Sequence, residues 1–310
     1  MLSLRIQLEP DLWGGLARED CWLDHEEAPI LFLWRGEKGL VLGKNQNPWQ
    51  EANLSVLRER GLCLARRVSG GGSVVHDPGN LNISWLLPRA HYQPEILHAV
   101  LRSALEKLGL PAKTTPTGAT LLQGRKVSGS AYCHRRERVL HHSTLLWQAD
   151  LDTLRAALSV PRVRLHTHAV SSLPVQVANL CDFLPGLTLP ELLGALRSAA
   201  TDAFGEALTQ SGAEIPLDPS YLHKMRDPAW IWGQTPRFRA EIRIENQTLL
   251  LDVAKGRIEQ ISWGDQPLTA LISAPLDADF PQILAQQLNQ HPTDIAEILA
   301  AQGWDFRLQD

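Results

Sequence analysis

The sequence predicts an α+β protein, a mixed β-sheet with helices packed on it, followed by a small α+β accessory unit. Three observations carry this expectation. Short apolar runs bounded by turn residues, such as ILFLWRG (30–36), LCLARRV (62–68) and LNISWLLP (81–88), read as strands. Between Pro94 and Leu110, Ile96, Leu97, Val100, Leu101, Leu105 and Leu108 recur at helical spacing, which predicts an amphipathic helix covering a sheet. After Pro236, RAEIRIENQTLLLDVAKGRIEQISWG (239–264) reads as a separate run of short strands.

In chain order, 30–36 and GLVLGK (39–44) predict a hairpin turning near Gly36 to Gly39. Strands over 62–68, GSVVHD (72–77) and 81–88 flank three successive glycines. The helix of 94–110 follows, and then ATLLQ, GRKVSGSAY and RVLHHSTLLW give three more strands between Ala119 and Trp147. Thr188-Leu189-Pro190-Glu191 has capping-box spacing with proline tolerated in the first turn, so a helix is predicted from Thr188 to Leu208. A boundary between Pro236 and Ala240 divides the chain into 1–236 and 237–310. The second part contains a turn at Lys255 to Gly256 and helices near Phe280 to Asn289 and Thr293 to Ala301. Its core would be marginal without docking on its neighbour.

Composition excludes several function classes. At 310 residues and 44% hydrophobic the chain can bury a sizeable core, and a net charge of −4 argues against a nucleic-acid partner. Cys21, Cys63, Cys133 and Cys181 are scattered, with no C-x-x-C pair, which disfavours a disulfide scaffold or zinc site. The N-terminal MLSLRIQLEPDLWGG lacks the unbroken apolar core of a signal peptide, and no stretch has the length of a membrane span. A cytoplasmic protein with no membrane partner is expected.

Chemistry concentrates in two stretches. RRVSGGGSVVHDPGN (66–80) joins cations, a hydroxyl, Gly70, Gly71 and Gly72, an imidazole and a carboxylate. Glycines permit positive φ and leave backbone N–H groups open to an anion, although most glycine turns merely join strands. Strand alternation allows one of Arg66 and Arg67, and one of His76 and Asp77, to face a ligand, and Arg67 and His76 are the pair expected. In GRKVSGSAYCHRRERVLHHSTLL (124–146), Lys126 is flanked by Ser128, Gly129, Ser130 and Ala131, small residues that leave room above a sheet. His141 and His142 point to opposite faces if extended, so only one shares a face with Thr144. A surface lysine and a hydrogen-bonded structural histidine are the plainer alternatives.

The spaced combination of RRVSGGGSVVHDPGN, GRKVSGSA and HHSTLL resembles the lipoate protein ligase A family of the biotin/lipoate protein ligase superfamily. LFLWRG (31–36), QNPWQE (46–51) and VANLCDFLPG (177–186) support it, and WIWGQTPRF (230–238) with the strands after it is similar to the family's accessory domain. The resemblance implies a biotin/lipoate ligase type catalytic domain over 1–236. It also implies ATP-dependent activation of lipoate to lipoyl-AMP, then transfer to a lysine of an apo lipoyl domain or an H-protein-like acceptor. ATP and Mg²⁺ are the implied co-substrate and metal.

By the same resemblance, Lys126 is the catalytic cation touching both acyl carbonyl and phosphate. Arg67, Gly72, Ser73, Val74, Val75, Ser171 and Val177 join it around the nucleotide, the latter two on an adenylate loop over Thr167 to Asn179. Trp34, Ser69, Gly70, Gly71, Gly72, His76, Gly129, His142 and Thr144 surround lipoate, again with Lys126. The chain departs from the family pattern at Gly118-Ala119, where Asn-Asp is common, and at Pro174 and Gln176, where arginines are usual. Ser143 replaces a glycine, and Gly15 replaces an asparagine. Two alternatives therefore stay open: ATP-independent lipoyl or octanoyl transfer from a preformed activated donor, and a noncatalytic lipoate-binding protein. The absence of any cysteine between Cys63 and Cys133 counts against a thioester route.

Overall fold

A computed structural model describes residues 2–9, 11–25, 28–160, 164–205, 209–210, 217–244 and 246–306. Along the chain the elements are β1 (Ser3–Gln7), α1 (Leu12–His25), β2 (Ile30–Arg35), β3 (Gly39–Leu42), α2 (Pro48–Glu51), α3 (Leu54–Glu59), β4 (Cys63–Arg66), β5 (Val74–His76) and β6 (Asn80–Pro88). Next come α4 (Pro94–Lys107), β7 (Lys113–Thr114), β8 (Thr120–Leu122), β9 (Arg125–Arg135), β10 (Arg138–Leu146), α5 (Leu151–Leu158), β11 (Arg164–Thr167), α6 (Leu189–Phe204) and β12 (Thr209–Gln210). The last part holds α7 (Pro219–Arg226), α8 (Pro228–Ile231), β13 (Phe238–Ile244), β14 (Gln247–Ala254), β15 (Arg257–Trp263), β16 (Gln266–Pro267), α9 (Phe280–Leu288) and α10 (Pro292–Ala301).

The expected mixed sheet is present, in the order β12-β1-β2-β6-β10-β9-β8-β7, with β1 parallel to both neighbours and the other pairs antiparallel. Strand alternation gives it two apolar faces. Leu31, Leu33, Ile83 and Trp85 pack with Leu97, Val100 and Leu101 of α4 and with Leu192 and Leu196 of α6. Ile30, Phe32 and Trp34 turn the other way, onto Leu12, Leu16 and Trp22 of α1. Helix α6 begins with the predicted capping box. Thr188 Oγ1 accepts from Glu191 N, and the Glu191 carboxylate accepts from Thr188 N at 2.8 Å. It ends at Phe204, and residues 206–208 of the predicted span lie outside the described residues.

The hairpin expected over 30–44 does not form. Strand β2 is taken on both edges by β1 and β6, while β3 lies between β4 and β5 in a separate three-stranded sheet. Both strands are apolar and almost wholly buried, so each is an interior strand with no free edge to offer the other. Residues 36–38 carry the chain from one sheet to the next.

A third sheet, β11-β13-β14-β15-β16, makes the C-terminal sheet domain together with α9 and α10. The two-residue turn joining β14 to β15 places Lys255 at φ 52° and Gly256 at φ 69°, the left-handed pair that a tight hairpin requires. This unit shares a core with the three-stranded sheet and α2. Trp49 lies 5.3 Å from Trp232, 5.3 Å from Phe238 and 5.4 Å from Trp304, ring centre to ring centre. Its outermost strand, β11, comes from well before the C-terminal part and pairs antiparallel with β13. Among the described residues, no helix is long and apolar enough to cross a membrane, and the four cysteines are free.

Candidate active site

Between the large sheet and the three-stranded sheet lies a cavity of 840 Å³. Its floor is one transverse row across four strands: Trp34 pairs with Asn82, Asn82 with Thr144, and Thr144 with Gly129. All four line the cavity, as does His142 from the next residue row on that face. Register thus brings together residues that lie far apart in sequence.

At the end of β4 the two arginines, Arg66 on the strand and Arg67 just past it, turn opposite ways as alternation requires. Arg67 faces the cavity, whereas the Arg66 guanidinium is buried and donates to the carbonyls of Ile231, Gly43, Lys44 and Gln46 and to Thr235 Oγ1. Arg67 is largely occupied with its own loop. It donates from Nε to Ser69 Oγ at 2.9 Å, and from its terminal nitrogens to the carbonyls of Val41, Gly70 and Gly72. That bracing, with Gly71 at φ +84°, bends the loop so that Gly71, Gly72, Ser73, Val74, Val75 and His76 line the cavity. Ser69 and Gly70 do not line it. Gly70 turns its carbonyl to Arg67, and Ser69 is buried with Oγ 2.6 Å from His142 Nε2.

Lys126 is the second residue of β9 and lines the cavity. A Cβ at position 129 would stand 2.7 Å from Lys126 Nζ, so Gly129 is what allows the ammonium to lie along the floor. Burial, and then the positive charge of Arg67, lower the Lys126 pKa from its ordinary value. Two cations share one wall, and an anion between them would relieve their repulsion. Next to it, Ser128 is buried, and its Oγ has no hydrogen-bond partner among the described residues.

The loop after β11 covers this wall. Ser172 Oγ accepts from Ser73 N at 2.9 Å and from Gln46 Nε2 at 3.1 Å, and it donates to Glu51, which also accepts from Ser172 N. Gln46 Oε1 accepts from Ser73 Oγ at 2.9 Å, which ties the glycine loop to the same clasp. Ser171 and Val177 both line the cavity, and Lys126 bonds the cover through its own backbone, N to Gln176 O at 2.9 Å and O from Ala178 N at 3.0 Å. Pro174 lines the cavity as well, and Ala119 stands on its wall where the resemblance would place a carboxylate.

Several groups of this site were missed from sequence, among them Asn82 of the floor, Ser172 of the cover, and Gln46, Glu51 and Glu19. Gln46 and Glu51 lie in QNPWQE, a stretch noted there without a role. Glu19 on α1 is fully buried and accepts from Trp34 Nε1 and Ser84 Oγ, with His142 Nδ1 at 3.0 Å from its carboxylate. An acid within a helix reads from sequence as solvated.

His141 points to the opposite face, with Nδ1 2.9 Å from the Tyr92 hydroxyl. Burial foremost lowers the pKa of His76 to about 3 and that of His141 to about 3. Both are therefore neutral at pH 7, and His76 meets a ligand as a neutral imidazole. The unfolded value of 6.5 lies above the folded one, so the stability held by each is intact above pH 6.5 and is withdrawn as the pH falls toward 3. Going from pH 7 to pH 5 should cost about 2 kcal/mol per histidine. Urea midpoints at the two pH values check this: His76→Asn and His141→Asn should each narrow the gap, and an unchanged gap in both would assign the acid limb to other groups.

A family model described as lipoyl protein ligase A/B catalytic domain matches residues 15–201, more than half of the chain. The chain belongs to that family. Among solved structures similar to this lipoyl ligase family member is a P. falciparum protein in complex with lipoate, 21% identical with a TM-score of 0.66, over 100% of this chain and 99% of that one. A T. acidophilum protein with bound lipoic acid is 22% identical with a TM-score of 0.63, over 74% of this chain and 98% of that one. A lipoate-protein ligase A bound with ATP is 24% identical with a TM-score of 0.60, over 72% and 92%. At these identities the likeness is one of fold.

Proposed function

We propose that the protein is an ATP-dependent lipoate ligase. One observation carries the reading: a single covered cavity is lined both by apolar residues, Leu16, Trp34 and Val41, which we take as its apolar end, and by two cations, Lys126 and Arg67, beside the glycine loop, which we take as its cationic end. The apolar end suits a dithiolane and its methylenes, which gain from burial. The cationic end suits the two anions that must meet, a carboxylate and an α-phosphate. In the first step a lipoate oxygen bonds to the α-phosphorus, and the bond to pyrophosphate breaks. In the second, an acceptor lysine amine attacks the acyl carbonyl, AMP leaves with the mixed-anhydride oxygen, and the amine proton passes to solvent. Lys126 balances charge in both steps. An apo lipoyl domain or an H-protein-like protein is the proposed acceptor, in line with a T. acidophilum system described as a lipoate protein ligase and its E2 lipoyl domain.

The residues present do not make a protein-held magnesium site. Glu51 is the one carboxylate among the described residues lining the cavity, and Ser172 engages it. No cluster of three His, Cys, Asp or Glu able to hold a metal occurs among the described residues. Magnesium would come with the ATP phosphates. The same observation favours a second reading, transfer from an acyl adenylate made elsewhere. Purified protein given lipoate, ATP and magnesium should release pyrophosphate and modify an apo lipoyl domain. Transfer from synthetic lipoyl-AMP alone would establish the second reading, and binding without turnover in either assay would leave a noncatalytic lipoate-binding protein.

We also propose that 1–236 is the catalytic unit, which lends β11 to the accessory sheet of 237–310, and that the protein works in the cytoplasm, in keeping with four free cysteines.

A further inference from the structure

The clasp on the cover places a carboxylate in a cavity whose cations favour anions. Ser172 Oγ sits where two donors converge, Ser73 N at 2.9 Å and Gln46 Nε2 at 3.1 Å. A phosphate oxygen would seek the same pair, since one donor is a backbone amide of the glycine loop. The hydroxyl accepts from both and passes its own hydrogen to Glu51, whose carboxylate also accepts from Ser172 N at 3.1 Å. Glu51 is 5% exposed, and among the described residues no lysine, arginine or histidine pairs with it. Its charge is met by two donors of one serine, both on the cover. A buried charge so held depends on those donors staying in place.

We propose that Glu51 is a positioning residue that sets the cover and a bound pyrophosphate against each other, so that this product of the first half-reaction is weakly held. The source of the pyrophosphate rests on the ligase reading above. An anionic oxygen at Ser73 N and Gln46 Nε2 displaces the Ser172 hydroxyl and then stands beside Glu51, where repulsion between like charges replaces a hydrogen bond. The serine brings no charge, so it is the occupant that the carboxylate favours. The attraction that Lys126 and Arg67 lend to any anion is thereby offset for one that reaches the cover.

The test is calorimetric titration of inorganic pyrophosphate, with chelator and no added metal, into the full-length protein and its variants, beside proteolysis of residues 168–176. Glu51→Gln keeps the shape and an oxygen for Ser172 N but removes the charge. It should bind pyrophosphate about tenfold more tightly than wild type. Ser172→Ala, which frees Ser73 N, should gain about fivefold. In the wild type, saturating pyrophosphate should speed cleavage of the cover by about fivefold. Replacing a residue that merely held the fold would weaken binding, so the sign decides. Glu51→Gln binding no tighter than wild type overturns the proposal, as does protection of the cover by pyrophosphate, and either result leaves the ligase reading to its own assay of pyrophosphate release. Should Glu51→Gln fail to fold, Ser172→Ala decides: an affinity equal to or below the wild type's counts against the proposal. Binding by neither wild type nor variant removes it, together with the assignment of the cavity's cations to phosphate.

Discussion

Lys126→Ala should reduce acceptor modification by about 10³-fold or more while leaving lipoate affinity within a few-fold of wild type. The ammonium lies at the cationic end beside Arg67, whose own donors are mostly committed to Ser69, Val41, Gly70 and Gly72. Lys126 is therefore the cation best placed to neutralise charge that develops between two reacting anions. Lys126→Arg should also fail, because a planar guanidinium cannot occupy the slot that Gly129 opens for a compact ammonium. Single-turnover measurement with preformed lipoyl-AMP, beside direct lipoate titration, separates loss of chemistry from loss of binding. An alanine variant within tenfold of the wild-type rate would remove Lys126 from the mechanism.

The neighbouring cation should govern stability instead. Arg66→Ala should lower unfolding free energy by about 4 to 5 kcal/mol, since it strands four backbone carbonyls in a buried setting. Those carbonyls belong to two segments: Gly43, Lys44 and Gln46 precede α2, and Ile231 ends α8. Losing the arginine frees the segment that carries Gln46, so the cover over the cavity should loosen as well. Urea unfolding together with protease sensitivity of residues 168–176 checks both effects. A loss below about 1 kcal/mol would mean that water satisfies the carbonyls unaided.

Much of this was legible in the sequence where the signal is local. The capping box at Thr188, the Lys255-Gly256 turn and the apolar strand runs each depend on a few adjacent residues. Alternation over the predicted strand 62–68 also separated Arg67 from Arg66. What could not be read is non-local. Nothing in 30–44 says that β2 and β3 belong to different sheets, because that depends on which distant strands take their edges. RLHT (164–167) is too short and polar to read as a strand, and its pairing with β13 makes it one. Asn82 joins the cavity floor through register alone, and Glu19, buried behind that floor, is placed by the three groups that converge on it. Ser69 and Gly70 fall outside the lining because Arg67 and His142 draw them in.

The cover over the cavity is fastened at one end to the peptide of Lys126 itself, through Gln176 O and Ala178 N. Lifting the cover there means breaking the lysine's own backbone bonds, so the roof and the cation form an interlock rather than two separate parts. A chain that has not closed over its ligand has also not fully seated its charge. On the ligase reading proposed above, that interlock would keep an activated acyl group from meeting water early, without a separate sensor for closure.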